Sequence, residues 1–273
     1  MYNILRGQPD GYSPSPEVWC NDMSAESFRM GRKVVVTLAV VVCLLLSLGA
    51  SDCFSIERSE LLRYEVTWNG NKAGHGDIAT KMDSKHVSVI AQAVSDGVLK
   101  TLVELWSRVQ ATFSANTFQP QSYSFQLKSN LGGPELVDLT FDHKTNLVQV
   151  NKQKGSEKES HSEKFAGHCD PITAAFMLRH QKDLSKPMFV DIYDGKDRSR
   201  LFVNPAGAGY VTVKTGCHSA YCLDLRLVKL GGDSKELAKG RLWLSNDQNR
   251  IPLLLTSSPI LGTIRFEIVQ ALL

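Results

Sequence analysis

The stretch Leu62-Arg-Tyr-Glu-Val-Thr-Trp68, followed by Asn69-Gly-Asn71, decides the fold class of this chain. Apolar and polar residues alternate through the first part, which is the pattern of a strand with one buried face. An Asn-Gly pair directly after such a run favours a two-residue hairpin turn, because both residues tolerate positive φ. The stretch therefore predicts an antiparallel β-hairpin.

Short runs of the same alternating kind recur along the rest of the chain, with turn-forming residues between them. This repetition is typical of an all-β sandwich, barrel or curved sheet. We therefore predict a mainly β fold, with a single antiparallel, strongly curved sheet or barrel-like meander in one domain, residues 57–273. The predicted strands after Trp68 are His75–Met82, His86–Ala93, Ser107–Phe113, Ser122–Lys128, Glu135–Phe141, Asn146–Lys152, Met188–Tyr193, Ser199–Val203, Tyr210–Thr215, Ala220–Leu230, Gly240–Leu244, Pro252–Thr256 and Gly262–Val269.

Three segments depart from the β pattern. Asp96–Trp106 has apolar residues at helical spacing, which fits a short amphipathic helix or a bent entry into a strand. Asp170–Arg179 predicts one short helix that caps the sheet, over about 170–181, because Asp170 suits the N-cap and Pro171 the first helical position. Lys152–Lys164 is charged and rich in serine, and we predict a solvated loop or a long hairpin tip there.

The N-terminal region has the pattern of an export signal. Arg29, Arg32 and Lys33 precede the apolar run Val34–Leu48, and small residues follow at 49–51. The run is shorter than the roughly 20 apolar residues of a spanning helix, and basic residues before it are typical of a signal peptide. We predict a signal peptide at 30–50, cleaved near 49–51, with a retained membrane anchor as the alternative.

Residues 1–29 form a polar, turn-rich extension that is unusual before a signal peptide. Met30 is an alternative start, in which case residues 1–29 are not translated. If Met1 is the start, the apolar run can stay uncleaved as an anchor with its basic end inside. We expect membrane contact only through this segment, and only if it is uncleaved.

The composition excludes some classes of function. The chain has 273 residues, of which 42% are hydrophobic and 22% charged, so it can form a sizeable core. Its formal net charge is +3, and removal of residues 1–50 leaves this value unchanged because four charges of each sign are lost. A nucleic-acid-binding domain would be distinctly basic, so we expect no nucleic-acid partner.

Processing would leave four of the six cysteines, Cys53, Cys169, Cys217 and Cys222, in an oxidising compartment. Cys217 and Cys222 are five residues apart in a stretch with a strand pattern, which would place them on opposite faces, so they do not pair with each other unless the segment turns. A disulfide between Cys169 and one of them stays open as an alternative. Free buried thiols are the interpretation that we favour.

The most reactive-looking cluster is His168-Cys169-Asp170. A thiol at a helix N-terminus can have a lowered pKa, and His168 with a distant His218 or Cys222 would be needed to complete a zinc site. Asp170 is already explained as an N-cap, so we expect no catalytic residue and no metal site. The sequence also lacks a phosphate loop, a nucleophile elbow and paired Cys-x-x-Cys or His-Glu-x-x-His motifs, and we expect no cofactor.

Aromatic residues suggest where a ligand would bind. A curved sheet with an aromatic concave face can hold acyl chains or peptides. The candidate ligand-binding residues are Tyr64, Trp68, Phe176, Arg179 and Trp243. Among them, Arg179 would be the polar group nearest a ligand head. The alternative is that these rings are simply core.

Three blocks of sequence resemble a known family. They are Leu61-Leu-Arg-Tyr-Glu-Val-Thr-Trp-Asn-Gly-Asn-Lys-Ala-Gly74, Asp170-Pro-Ile-Thr-Ala-Ala-Phe-Met-Leu-Arg179, and Arg241-Leu-Trp-Leu-Ser-Asn-Asp-Gln-Asn-Arg-Ile-Pro-Leu253 with Gly262-Thr-Ile-Arg-Phe266. In order and spacing they resemble the opening hairpin, the single helix and the closing strands of the domain-of-unknown-function family numbered 3108, exported proteins of Gram-negative bacteria. The resemblance spans about residues 57–273. It implies a periplasmic or envelope-associated, mostly antiparallel β protein with no assigned activity.

These observations leave three hypotheses for function. The first is a non-enzymatic periplasmic or envelope protein that binds or carries an apolar or amphipathic, lipid-like envelope component. The second is an envelope structural or assembly factor that binds a protein partner through sheet edges. The third, an enzyme or metal site at His168 and Cys169, is the least supported. An open apolar interior would favour the carrier, and a filled core the assembly factor.

Overall fold

The computed structural model describes residues 58–165, 167–232, 235–258 and 262–273, so the predicted extension (1–29) and signal peptide (30–50) lie outside the described residues. Within the described ranges, fourteen strands form one antiparallel sheet. The strands are β1 (Arg58–Trp68), β2 (Asn71–Met82), β3 (His86–Ser95), β4 (Leu105–Ser114), β5 (Pro120–Ser129), β6 (Glu135–Asp142), β7 (Leu147–Lys154), β8 (Glu157–Lys164), β9 (Met188–Tyr193), β10 (Arg198–Val213), β11 (Gly216–Lys229), β12 (Glu236–Ser245), β13 (Pro252–Ser257) and β14 (Ile264–Leu272). The mainly β prediction is confirmed.

The sheet is a meander in two halves. Its strand order is β8-β7-β6-β5-β4-β3-β2-β1-β14-β13-β12-β11-β10-β9, so β1 and β14 pair in the middle and β8 and β9 end the two halves. The sheet is not closed into a barrel. No helix in the described part of the chain is long and apolar enough to cross a membrane.

The opening hairpin forms as the sequence predicts. Leu62, Tyr64 and Val66 are buried on the inner face of β1. Asn69 and Gly70 both have positive φ, at 49° and 80°, which is the geometry of the two-residue turn that Asn-Gly favours. The side chains of β1 that are buried thus form the first part of the inner face of the sheet.

Two helices occur in the described residues. The short helix α1 (Gly97–Leu102) precedes β4, so Asp96–Trp106 contains both the predicted helix and the strand entry. The second helix, α2 (Pro171–Arg179), confirms the prediction for about 170–181. Asp170 caps it by accepting from the amides of Ile172 and Thr173 at 2.9 Å each.

Helix α2 is enclosed more completely than a helix lying over a sheet. All of its residues except Met177 are buried, including the polar Thr173 and Arg179. It packs against β4 and β9, which belong to different halves of the sheet. The curved sheet therefore surrounds the helix on several sides.

The two ends of the sheet are linked by side chains and by the chain segment between them. Cys169, just before α2, forms a parallel bridge with Ile192 of β9. Glu163 of β8 accepts from the hydroxyl of Tyr193 and from Arg198 Nη2, the latter at 2.7 Å. These contacts join the ends without a continuous backbone ladder.

Two strand assignments differ from the sequence analysis. Of the two alternatives for Lys152–Lys164, the long hairpin is confirmed and the solvated loop is wrong, because strand β8 pairs along its length with β7. The alternating pattern is missing because the side chains of β8 are exposed or half-buried on both faces. The structure also joins the separate strands predicted at Ser199–Val203 and Tyr210–Thr215 into β10, which continues through a register shift between Pro205 and Gly207.

Candidate functional site

The structure places three of the five candidate ligand-binding residues together inside the sheet. Arg179 donates through Nη1 and Nη2 to the two carboxylate oxygens of Glu60, at 3.2 and 3.0 Å. The side chains of the pair are 1% and 0% exposed, and both groups influence the titration of Tyr64. Phe176 lies one helical turn before Arg179 and is fully buried.

Each of the three guanidinium nitrogens of Arg179 donates to a protein acceptor. Besides the Glu60 carboxylate, the backbone oxygen of Asn249 accepts from Nε at 2.8 Å. Burial raises the pKa of Glu60, and the adjacent guanidinium counteracts this rise. The bidentate pair of Arg179 and Glu60 is therefore a structural contact inside the protein. It is not an open site for an anionic head group.

The inner aromatic residues are likewise part of a filled core. The hydroxyl of Tyr64 donates to the backbone oxygen of Pro252 at 2.9 Å, and burial raises its pKa well above the ordinary value. Phe176 packs edge-on against Phe113, with ring centroids 4.8 Å apart. Phe176 and Phe113 have 0% exposed surface, so they border neither solvent nor a void large enough for water.

The other two candidates lie elsewhere. Trp68 is half-buried at the end of β1, on the same face as Tyr64. Trp243 alternates with buried Leu242 and Leu244, so its ring points to the opposite face of the sheet. The five residues therefore do not form one site.

Sequence reasoning missed Glu60, the partner of Arg179. A signal was present, because Glu60 is in phase with Leu62 and Tyr64 and therefore points to the buried face. A carboxylate on that face requires a cation or several donors. The identity of that cation could not be read from the sequence, since Arg179 is 119 positions away.

The His168-Cys169 cluster has the geometry of a helix start. Cys169 is a buried free thiol, and burial together with the neighbouring Asp170 raises its pKa well above the ordinary value. Burial also raises the pKa of the N-cap Asp170, to about 6. Among the described residues no group of three or more His, Cys, Asp or Glu side chains could hold a metal ion.

In the described part of the chain Cys222 is a free buried thiol, as expected, whereas the prediction of burial was wrong for Cys217. Cys217 is exposed and Cys222 is buried, and both are free, as expected from their opposite orientations on one strand. Cys53 lies outside the described residues.

A more accessible feature lies along β10. β9 pairs with β10 only from Arg198 to Val203, whereas β11 pairs with β10 through Val213. On the β9 side, Asn204–Val213 therefore has no strand partner within the described residues. This segment, the open edge of β10, carries no charged side chain, and its Tyr210 is 79% exposed.

The sequence of the open edge fits a strand that is paired on one side. Pro205 has no amide hydrogen, so it is tolerated where the neighbouring strand is absent. The far end of the β10–β11 hairpin is held against β1 by an ion pair between Lys214 and Glu65. This contact places the tip of the β10–β11 hairpin next to β1.

The comparisons with known proteins give a family and a fold. A family described as "Protein of unknown function (DUF3108)" matches residues 63–269. No curated protein matches the chain. Among solved structures, a β-barrel-like protein of the domain of unknown function DUF1849 from Brucella abortus is 12% identical, with a TM-score of 0.53, over 81% of this chain and 99% of that one.

A second solved structure is a protein from Bacteroides fragilis, assigned as exported and with a YmcC-like fold. It is 7% identical, with a TM-score of 0.36, over 84% of this chain and 100% of that one. The Brucella protein supports the β-barrel-like fold alone at this level of identity. The family match spans most of the described sheet, from β1 to β14. The chain therefore belongs to the DUF3108 family of proteins of unknown function.

Proposed function

We propose that this chain is a non-enzymatic envelope assembly factor, which binds an extended segment of a partner protein along the open edge of β10. The observation that carries the proposal is the uncharged, one-sided strand segment Asn204–Val213. An extended peptide can add to such an edge through backbone hydrogen bonds, and pockets for alternate side chains supply specificity.

The chemistry of the edge supports this role. Natural sheets protect exposed edges with charged side chains, because an unprotected edge pairs with other chains. Such protection is present on β8, whose sequence Glu157-Lys-Glu-Ser-His-Ser-Glu-Lys164 alternates charges. The open edge of β10 instead has Ala206, Gly207 and Ala208, small residues that let another backbone approach.

The contacts in the interior also favour the assembly factor over the carrier. A carrier needs free space and a free polar group for the ligand head, whereas the buried groups near α2 contact one another. Arg179 is occupied by Glu60 and Asn249, and the hydroxyl of Tyr64 by Pro252. These contacts favour recognition on the outside of the sheet.

Export to the periplasm or outer envelope is part of the proposal. It is supported by the basic residues and apolar run at the N-terminus and by the resemblance to exported proteins. In that compartment the partner would be another envelope protein with an extended segment. Membrane contact would come through residues 30–50 if they are retained.

Photo-crosslinking tests the proposal. We would replace Tyr210 by a benzophenone amino acid in the producing cells and identify the crosslinked products by mass spectrometry. A matched probe at Ser160 of β8 is the control. We expect one stoichiometric protein partner at Tyr210 and none at Ser160.

A charged variant tests whether the Tyr210 crosslink reports specific binding of a partner at the open edge. Ala208→Lys puts a charge in the open edge and should abolish the Tyr210 crosslink, whereas Ser160→Lys should leave it unchanged. Equal crosslinking from both probe positions would contradict the proposal. A crosslink persisting in the folded Ala208→Lys variant would also contradict it.

A further inference from the structure

A groove of about 470 Å³ lies on the outer face of β10–β13. Its charged lining residues in the described part of the chain are Asp224, Arg226, Glu236, Lys239 and Arg241, and Asn204 of β10 also lines it. Arg226 alternates with buried Leu225 and Leu227, which shows that the groove faces away from the core.

Two cations face each other in this groove. Arg226 of β11 lies directly opposite Lys239 of β12 in the strand register. Side chains in such a pair have Cβ atoms about 5 Å apart, and like charges placed there are destabilising. Within the described residues neither cation has a carboxylate partner.

The nearby carboxylates do not neutralise all of the positive charge in the groove. Asp224 accepts from Arg241 Nε at 2.8 Å, so these two neutralise each other. Glu236 also lines the groove and offsets one charge. Among the residues that the structure describes, the lining therefore has one positive charge in excess, located at the Arg226–Lys239 pair.

An aromatic surface adjoins the cation pair. The guanidinium of Arg226 lies over the ring of Phe202, 4.8 Å from its centroid. Phe202 in turn lies beside Phe189, with centroids 6.4 Å apart, and Phe189 is 56% exposed. A cationic group stands next to an exposed apolar surface on the same face of the sheet.

We propose that Arg226 and Lys239 bind the phosphate group of an amphipathic phosphate ester, whose apolar part lies against Phe202 and Phe189. The Arg fork alone would occupy both oxygens of a carboxylate, whereas a phosphate has further oxygens for the Lys ammonium. Bound phosphate would also relieve the repulsion between the two cations. This site meets the open edge of β10 at Asn204, but the phosphate contacts come from β11 and β12 and do not depend on the role of the edge.

Two probes distinguish the sources of the phosphate. Hexyl phosphate, which has an apolar chain, tests a soluble ester by titration calorimetry, and phosphatidylcholine vesicles containing phosphatidic acid test a membrane headgroup by co-sedimentation. We expect at least one probe to bind. Binding to vesicles alone assigns the group to a lipid headgroup, and binding to hexyl phosphate shows that a soluble amphipathic ester suffices.

The variants connect binding to the groove. We expect Arg226→Ala and Lys239→Ala each to weaken binding roughly tenfold, since each removes a charge-assisted hydrogen bond. Lys158→Ala on β8 is the matched control and should leave binding unchanged. The proposal is overturned if neither probe binds, if Lys158→Ala weakens binding equally, or if acetate binds as well as the phosphate ester.

Discussion

Arg179 in the interior around α2 is paired with an opposite charge, whereas two charged side chains on the outer face of β10–β12 have no such pairing among the residues that the structure describes. Inside, Arg179 is buried against Glu60, with carboxylate contacts of 3.2 and 3.0 Å. Outside, Arg226 lies opposite Lys239 without a carboxylate partner in the described residues, and the adjoining β10 edge lacks a strand partner there. Since unpaired groups are costly only where water is excluded, the outside can keep them free for a ligand.

From this difference in pairing we expect that the residues which determine stability are not the residues which determine recognition. Substitutions around α2 should change the free energy of unfolding and leave capture at the β10 edge intact in protein that still folds. Substitutions on β10–β12 should weaken binding at that surface and leave the free energy of unfolding nearly unchanged. A residue that changed both properties strongly would break this division.

The largest effect is expected from Arg179→Met. It leaves the Glu60 carboxylate buried without its cation, which should lower the free energy of unfolding by about 3–5 kcal/mol. Urea unfolding measures this loss. Glu60→Met combined with Arg179→Met should lose much less, and an equal loss in the double variant would show that the pair is not coupled.

The next largest effect is a pH dependence at His180, just after α2. Burial lowers the pKa of His180 to about 4 from 6.5, and its Nε2 atom is buried without a hydrogen-bond partner. The folded state thus favours the neutral ring. Its contribution is fully present above pH 6.5 and lost as the pH falls towards 4, by about 3 kcal/mol in total.

His180→Asn isolates this contribution. Its amide nitrogen can replace Nδ1, which contacts the backbone oxygen of Phe176 at 2.9 Å, but it does not titrate. Asp170 acts in the opposite direction, because its raised folded pKa of about 6 makes stability increase as the pH falls from 6 towards 3.8. Urea unfolding between pH 7 and 4 should therefore show the variant gaining relative to the unsubstituted protein. Parallel pH curves would contradict the assignment.

A smaller effect on stability is expected from charging the open edge. Ala208 is exposed, so Ala208→Lys should change the free energy of unfolding by no more than about 0.5 kcal/mol while it abolishes partner capture. Thermal unfolding and the Tyr210 crosslink measure the two properties. Large destabilisation would place Ala208 in the folding core instead.

The smallest effect concerns the cation pair. Lys239→Ala removes the repulsion without removing the contact between Arg226 and Phe202, so it should raise the free energy of unfolding by a few tenths of a kcal/mol in phosphate-free buffer. Added phosphate ester should stabilise the unsubstituted protein more than the variant. Thermal unfolding with and without hexyl phosphate measures both. A variant less stable without ligand would mean that Lys239 is structural.

The local features of the fold were predictable from sequence. The Asn69-Gly70 turn and the Asp170 cap depend on neighbouring residues, so pattern and turn chemistry were sufficient. Strand β8 was not, because an edge strand with both faces solvated has no apolar alternation. The continuity of β10 was hidden by Pro205 and Gly207, which ordinarily indicate a break.

The candidate sites were less predictable. The sequence indicated Arg179 as a ligand group, but its pairing with Glu60 depends on how a distant strand packs against α2. The Arg226–Lys239 pair depends on the register between β11 and β12. The open edge depends on where β9 ends relative to β10. Non-local register of this kind is not contained in any short motif.

Hydrogen exchange of the protein with and without its crosslink-identified partner tests the central claim most directly. We predict slower amide exchange on binding within Asn204–Val213, with unchanged exchange in Glu157–Lys164 of β8 and around α2. Slower exchange at β8 or around α2, with none along Asn204–Val213, would contradict recognition at the open edge of β10.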